Sequence, residues 1–248
     1  AELIVYTGVP SALEQNKVES YLSIKYGINK AGDFVNSAGT TIWDAAANAG
    51  YINDVAGIGR DDKSVLDQQK SKSINTGSDV TLDKGAAFPN DLDCIVWGNN
   101  NAPNGTSTNV PPGQEKRINK VWKVNVTGTP GTVDLTIDLT DLGLPIGLGI
   151  FDYSLLFDTD GNFDNATEQV LGINKNNALI TFLGANLSDG IYFTVAAKSG
   201  TIQGPGNVTN NLKLWMKADA GVTGTTPVSL WLDQSGNGYF ATAPVNGP

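Results

Sequence analysis

The sequence predicts an all-β fold, an antiparallel β-sandwich with one helix near the N-terminus. Three observations lead there. Val133, Leu135, Ile137 and Leu139 alternate with Thr132, Asp134, Thr136 and Asp138, the period of a half-buried strand. Short apolar runs recur between turn residues with few helical patterns among them, which favours a sandwich over a βαβ sheet. The 29 glycines and 11 prolines supply turns, and 40% hydrophobic residues are ample for a core.

In chain order, Leu3-Ile4-Val5-Tyr6 reads as a short strand ended by Gly8-Val9-Pro10. A helix follows. Ser11 stands three residues before Glu14, the spacing of a capping box, and Gly27 suits the residue after the last turn. Leu13, Val18, Tyr21, Leu22 and Ile24 give it an apolar face. Strands are expected at 80–82, 94–97, 122–126, 133–139, 153–157, 178–182 and 191–196, with Gly128-Thr129-Pro130-Gly131 as a hairpin-like turn. Residues 42–49 are the main further helical candidate. After a Gly- and Pro-containing linker, Leu212–Met216 and Val228–Leu232 read as two more strands. The divisions are therefore 1–28, the closing part of a domain begun earlier; 29–198, a central β-sandwich; 199–209, a linker; and 210–248, the opening of another domain.

Composition narrows the chemistry. The net charge of −9 opposes binding to nucleic acid or to an anionic membrane surface, although acidic surfaces recruit divalent cations. No apolar run is long enough to span a bilayer, so no membrane insertion is expected. The first residues already read as a strand rather than a signal peptide, so an exported protein would be represented here by a mature chain or an internal segment. The lone cysteine, Cys94, rules out an internal disulfide framework and sits in an apolar run, where a thiol behaves as a small hydrophobe. There is no histidine, which removes Ser-His-Asp and Cys-His catalysis and most zinc and copper sites. The expectation is a protein that is not an enzyme.

Several stretches carry a family resemblance. Ala1–Tyr6 with Lys17–Ile28 resembles the final strand and closing helix of concanavalin-A-like (laminin-G-like) jelly rolls, common in giant surface proteins of Bacteroidetes. Leu214–Val222 with Trp231–Gly238 resembles the opening of the same kind of domain. Between them, Ala56–Asp62, Gln69–Ser73 and Arg117–Val124 resemble the β-rich domain that follows the jelly roll in those proteins. The resemblance implies a central sandwich flanked by partial jelly-roll segments, one window of an alternating repeat. It also implies type IX secretion, an extracellular location, and a part in adhesion, gliding or filament formation. Its partners would be neighbouring copies or flanking domains, with surface glycans as a further possibility. The motifs bring no catalytic residues with them.

Four residues form the sharpest candidate site. Asp158, Asp160, Asn162 and Asp164 place oxygen ligands at alternate positions of a tight loop, as Ca²⁺ requires. The loop is not an EF-hand, because glycine falls at its fourth place and Gln169 at its twelfth. A plain polar turn explains the same residues. Gly57-Ile58-Gly59-Arg60-Asp61-Asp62 lacks the remaining residues of either phosphate-binding fingerprint and reads as a structural turn. Asp134 and Asp138 share a strand face and raise a carboxylate pair, as in a glycosidase, but they lie opposite the apolar face and read as solvated. Trp43, Trp97, Trp122, Trp215 and Trp231 would stack on sugars if exposed, yet Trp97 and Trp122 lie in apolar strands. Three functions follow: a structural and adhesive repeat, a carbohydrate-binding module, or a carboxylate-based glycosidase. Incomplete domains at both termini favour the first.

Overall fold

The computed structural model describes residues 2–146, 148–168, 172–198, 204–208, 210–219, 221–224, 228–235 and 239–242. It is an all-β sandwich of antiparallel sheets with one N-terminal α-helix. The helix α1 is Ala12–Tyr26. The early strands are β1 (Phe34–Val35), β2 (Thr41–Trp43), β3 (Asn53–Asp61), β4 (Leu66–Gln68), β5 (Lys70–Lys72) and β6 (Val80–Asp83). Next come β7 (Cys94–Asn99), β8 (Thr106–Ser107), β9 (Lys116–Ile118), β10 (Trp122–Thr127) and β11 (Val133–Asp138). Then follow β12 (Tyr153–Asp158), β13 (Thr167–Glu168), β14 (Gly172–Asn176), β15 (Leu179–Ala185) and β16 (Tyr192–Ala197). The last are β17 (Val222–Thr223), β18 (Leu230–Leu232) and β19 (Phe240–Thr242). The seven strands expected between residues 80 and 196 are all present, with ends displaced by a few residues. Along β11, Val133, Leu135 and Ile137 are buried and the residues between them are half-buried, as their alternation predicts.

The chain divides into two compact units. The first comprises Ala1–Ala102, Lys120–Thr136 and Gly184–Phe193. In it β4, β3, β7, β10 and the start of β16 are successive neighbours in one sheet, and β5, β6 and β11 belong to another. Trp122 stacks on Phe193 with ring centroids 5.4 Å apart and planes 11° from parallel. The buried carboxylate of Asp93 ties two turns, accepting from the backbone of Thr129 (2.8 Å) and of Asn90 (2.9 Å). The second unit comprises Pro103–Asn119, Ile137–Leu183 and Thr194–Pro248. There β9 pairs with β8 and with the end of β16, β12 pairs with β13, and β14 and β15 form a hairpin. Buried Arg117 lies 4.9 Å from the Phe163 ring centroid and donates to the carbonyl of Asn109 at 2.9 Å.

The helix begins as its sequence predicts. Ser11 N donates to Glu14 Oε2 at 2.8 Å and Ser11 Oγ accepts from Glu14 N at 3.4 Å, completing the capping box. Gly27 ends it in the left-handed region at φ 64°. Its buried face differs from the expected one: Ser20, Ser23 and Ile24 are buried, whereas Leu13 is exposed. Small serines let the helix sit close, and Ser20 Oγ accepts from Val35 N at 3.0 Å. Ile24 then joins Phe34, Ile42, Trp43, Val55, Leu66, Cys94 and Val96 in one core. Helix and β-body thus share a core, whereas the division read from the sequence separates them at residue 28.

Four local expectations are corrected. Leu3–Tyr6 forms no strand, and its side chains stand 90, 41, 79 and 53% exposed. A strand needs a neighbour for its backbone groups, and none pairs with this segment among the described residues. Residues 42–49 form no α-helix: Ile42 and Trp43 end β2, Asp44 Oδ1 accepts from the backbone of both Ala46 and Ala47 at 2.9 Å and folds 45–48 into a turn, and Ala49 opens a short 3₁₀ helix, Ala49–Tyr51. Gly57–Asp61 lies within β3 rather than in a turn. A Cβ at Gly57 would meet Ile24 Cγ1 at 3.2 Å and one at Gly59 would meet the Asp93 carbonyl oxygen at 2.9 Å, so these glycines serve close approach. In Leu212–Met216 only Met216 makes a β-bridge, to Asp233. Of the expected linker, Pro205–Asn207 forms a short 3₁₀ turn, and residues 199–203 and 209 lie outside the described residues.

Candidate functional site

Asp158 is the last residue of β12, and its buried carboxylate turns back on its own loop. Oδ1 accepts from the backbone of Asp160 at 2.8 Å and of Gly161 at 2.6 Å. Asp160 Oδ1 in turn accepts from Asn162 N at 2.8 Å. That backbone hydrogen bond holds the Asp160 carboxyl below its ordinary range, with a hydrogen bond to Asp158 adding to the effect. Asn162 Oδ1 is taken by the side-chain amide of Asn109 at 2.7 Å, and Asp164 is exposed. Asn109 also accepts from Phe163 N at 3.0 Å, which seats the buried Phe163 ring beneath Arg117.

A calcium ion needs about six to eight converging oxygens. Of the four sequence-predicted ligands, Asp158 and Asp160 each use Oδ1 to close the turn and Asn162 Oδ1 is taken by Asn109, while Asp164 is exposed; no cluster of three or more acidic, histidine or cysteine residues suited to a metal occurs among the described residues. Gln169, the twelfth position of the loop, lies outside the described residues.

The other candidates resolve individually. Asp134 Oδ1 accepts from Gly184 N at 2.9 Å and Asp138 Oδ1 from Thr140 N at 3.0 Å, so each carboxylate ties its own neighbouring backbone. Both are half-buried rather than fully solvated. Trp43, Trp97 and Trp122 are core residues, while Trp215 and Trp231 are half-buried. Cys94 is buried, and burial pushes its thiol up to about 12, with the charges of Asp61 and Asp93 adding to the shift.

Two arrangements were not legible beforehand. In the first unit, Lys120 Nζ meets Asp79 Oδ2 at 2.6 Å, with only about a tenth of either side chain exposed. Lys120 stands two residues before β10 and Asp79 one before β6, so the sequence signal is a charged residue set against the start of a buried strand. In the second unit, buried Asp233 accepts from Trp215 N and Ser235 N through Oδ1, both at 2.8 Å, and from Ser235 Oγ through Oδ2 at 2.6 Å. Trp231 Nε1 donates to the Lys217 carbonyl at 2.7 Å. These bonds knot together two stretches that lie apart in sequence.

Fold and side chains define an all-β sandwich in which acidic and amide side chains fasten backbone turns. The chain belongs to the family described as a domain of unknown function (DUF8202), whose model matches residues 14–191. The match runs from inside α1 to the residue before β16, so it takes in both the helix and the β-body. No curated protein and no solved structure matches the chain. Among the described residues no helix is long and apolar enough to cross a membrane.

Proposed function

We propose that this chain is a structural and adhesive segment of a large secreted bacterial surface protein, acting in adhesion, gliding or an extracellular filament. The observation that carries the reading is the knot at Asp233. Leu214–Val222 and Trp231–Gly238 are the two stretches that resemble the opening of a lectin-like jelly roll, and Asp233 with Trp231 bonds one to the other. Such a knot is the expected start of a further β domain, so the β-body is one bead of a longer string. Its partners are flanking domains and neighbouring copies, and export is by type IX secretion. Turns fastened by Asp93, Asp158 and Asp44 suit a body that transmits force rather than one that rearranges around a substrate.

Surface labelling tests this directly. Antibodies raised against the purified chain are expected to stain intact source cells, and brief protease shaving is expected to remove the signal. Staining that appears only after lysis would overturn the reading. A glycan array run beside it separates adhesion through protein contacts from a carbohydrate-binding module, because specific glycan capture would transfer the assignment to the latter.

A further inference from the structure

Ser154 lies in β12, whose residues are all buried, and is itself only 2% exposed. Its hydroxyl donates to Glu168 Oε1 at 2.6 Å. The strand register brings them together: Glu168 in β13 stands opposite Leu156, two residues along β12 and so on the same face as Ser154. Gln114 reaches the same spot from the turn ahead of β9, where its backbone N–H donates to the Pro111 carbonyl at 3.2 Å. Gln114 Nε2 donates to Ser154 Oγ at 2.9 Å and to Glu168 Oε2 at 3.1 Å. All three residues belong to the second unit. One carboxylate therefore has one oxygen on the serine hydroxyl and the other on the glutamine nitrogen. The amide itself is served unequally. Its nitrogen makes both of these bonds, whereas its buried Oε1 has no hydrogen-bond partner among the described residues. A polar network that only holds the fold satisfies its buried acceptors, because an unpaired one carries the full desolvation cost.

We propose that Ser154 and Gln114 condense into an intramolecular ester, with the Glu168 carboxylate as the proton carrier. The Ser154 hydroxyl passes its proton to Glu168, and Oγ attacks Cδ of Gln114, forming a C–O bond. The C–N bond of the amide breaks, and Glu168 hands the proton to Nε2, which leaves as ammonia. Glu168 ends as the carboxylate it began as, and no oxidant, reductant or further reactant enters. Nucleophile, proton carrier and leaving nitrogen stand in direct hydrogen-bond contact, the reach that general-base and nucleophilic steps need. Two features favour the product. An ester carbonyl is a weaker acceptor than an amide carbonyl, so leaving it unpaired costs less. Glu168 is exposed, which gives ammonia a route to water, where it is protonated and diluted. Burial of Ser154 then shields the ester from hydrolysis. The bond joins residues 40 apart in a chain whose single cysteine allows no disulfide within it. The proposal stands apart from the surface reading.

Mass spectrometry of the denatured full chain decides it. The folded, aged protein is expected to weigh one ammonia molecule less than its sequence, and protease digestion is expected to yield a branched peptide joining residues 114 and 154. Alkaline hydroxylamine, which cleaves esters and spares amides, should separate the two arms. Ser154→Ala and Gln114→Ala should each show the full mass of their own sequence. Glu168→Gln should keep its full mass, or lose ammonia only slowly, while its circular dichroism remains that of the folded chain; ammonia loss at the wild-type rate would remove Glu168 from the step. A wild-type chain at full sequence mass after prolonged incubation overturns the proposal. So does an ammonia loss that resists hydroxylamine, or one that maps elsewhere, such as to a cyclised asparagine at Asn104-Gly105.

Discussion

Leu3-Ile4-Val5-Tyr6 and Cys94-Ile95-Val96-Trp97 are nearly the same tetrapeptide, an apolar residue and an Ile-Val pair closed by an aromatic ring. Their fates are opposite. The second is the start of β7 and is wholly buried, with Ile95 opposite Ile58 on one side and Val126 on the other. The first makes no ladder, and its side chains are exposed. Local pattern nominates a strand, but neighbouring backbone on either side makes it one. The lesson extends to energetics, because the same methyl groups stabilise one run and leave the other nearly neutral.

The largest expected effect comes from cutting into β7. Ile95→Ala removes a fully buried side chain and should cost about 2–5 kcal/mol, read from the shift in a urea midpoint at unchanged slope. A loss no greater than that of a surface substitution would break the comparison.

An intermediate effect is expected from pH, because the two runs differ at their first residue. The Cys94 thiol is pushed up to about 12 in the fold, while an unfolded thiol ionises near its ordinary value of 9.0. Between these values the unfolded chain binds fewer protons than the folded one, so stability falls as pH rises from about 9 towards 12. Below that window the contribution is fully present. Cys94→Ala should flatten this part of the stability-against-pH curve, and thiol labelling of the wild type should proceed only at the rate of global unfolding. Rapid labelling of the native protein would contradict the burial.

The smallest effect sharpens the contrast from the other side. Ile4→Ala should change stability by less than about 0.5 kcal/mol in the isolated chain. A loss comparable with that of Ile95→Ala would mean that residues 3–6 have a partner in solution.

The same contrast explains what the sequence reveals. The start of α1 is legible because a capping box involves residues three apart and needs nothing from elsewhere. The strand β11 is legible because its alternation spans six residues. The buried face of α1 is not, because Ser20 and Ser23 are chosen by the close approach of Val35 and the sheet, which no local period encodes. Gly57 and Gly59 mislead for a related reason: glycine signals turns in a sequence, whereas here it leaves room for Ile24 and the backbone of Asp93. At the candidate site, the spacing of Asp158, Asp160 and Asn162 is legible as a loop rich in oxygens. Whether such oxygens face an ion or their own backbone depends on atoms such as Asn109 Nδ2, which arrive from far along the chain. The pairing of Asp79 with Lys120 hides for the same reason.

The shared core of α1 and β7 sets an order on biosynthesis. The helix leaves the ribosome first, yet Cys94 and Val96, which complete the core around Ile24, are made about seventy residues later. A lone helix of this length is marginal in water. In that interval the reciprocal bonds of Ser11 and Glu14 are local means of keeping the first turn wound, since they need no tertiary partner. The cap therefore favours the first turn of α1 before the sheet beneath it exists, and the rest of the helix gains its stability only when that sheet arrives.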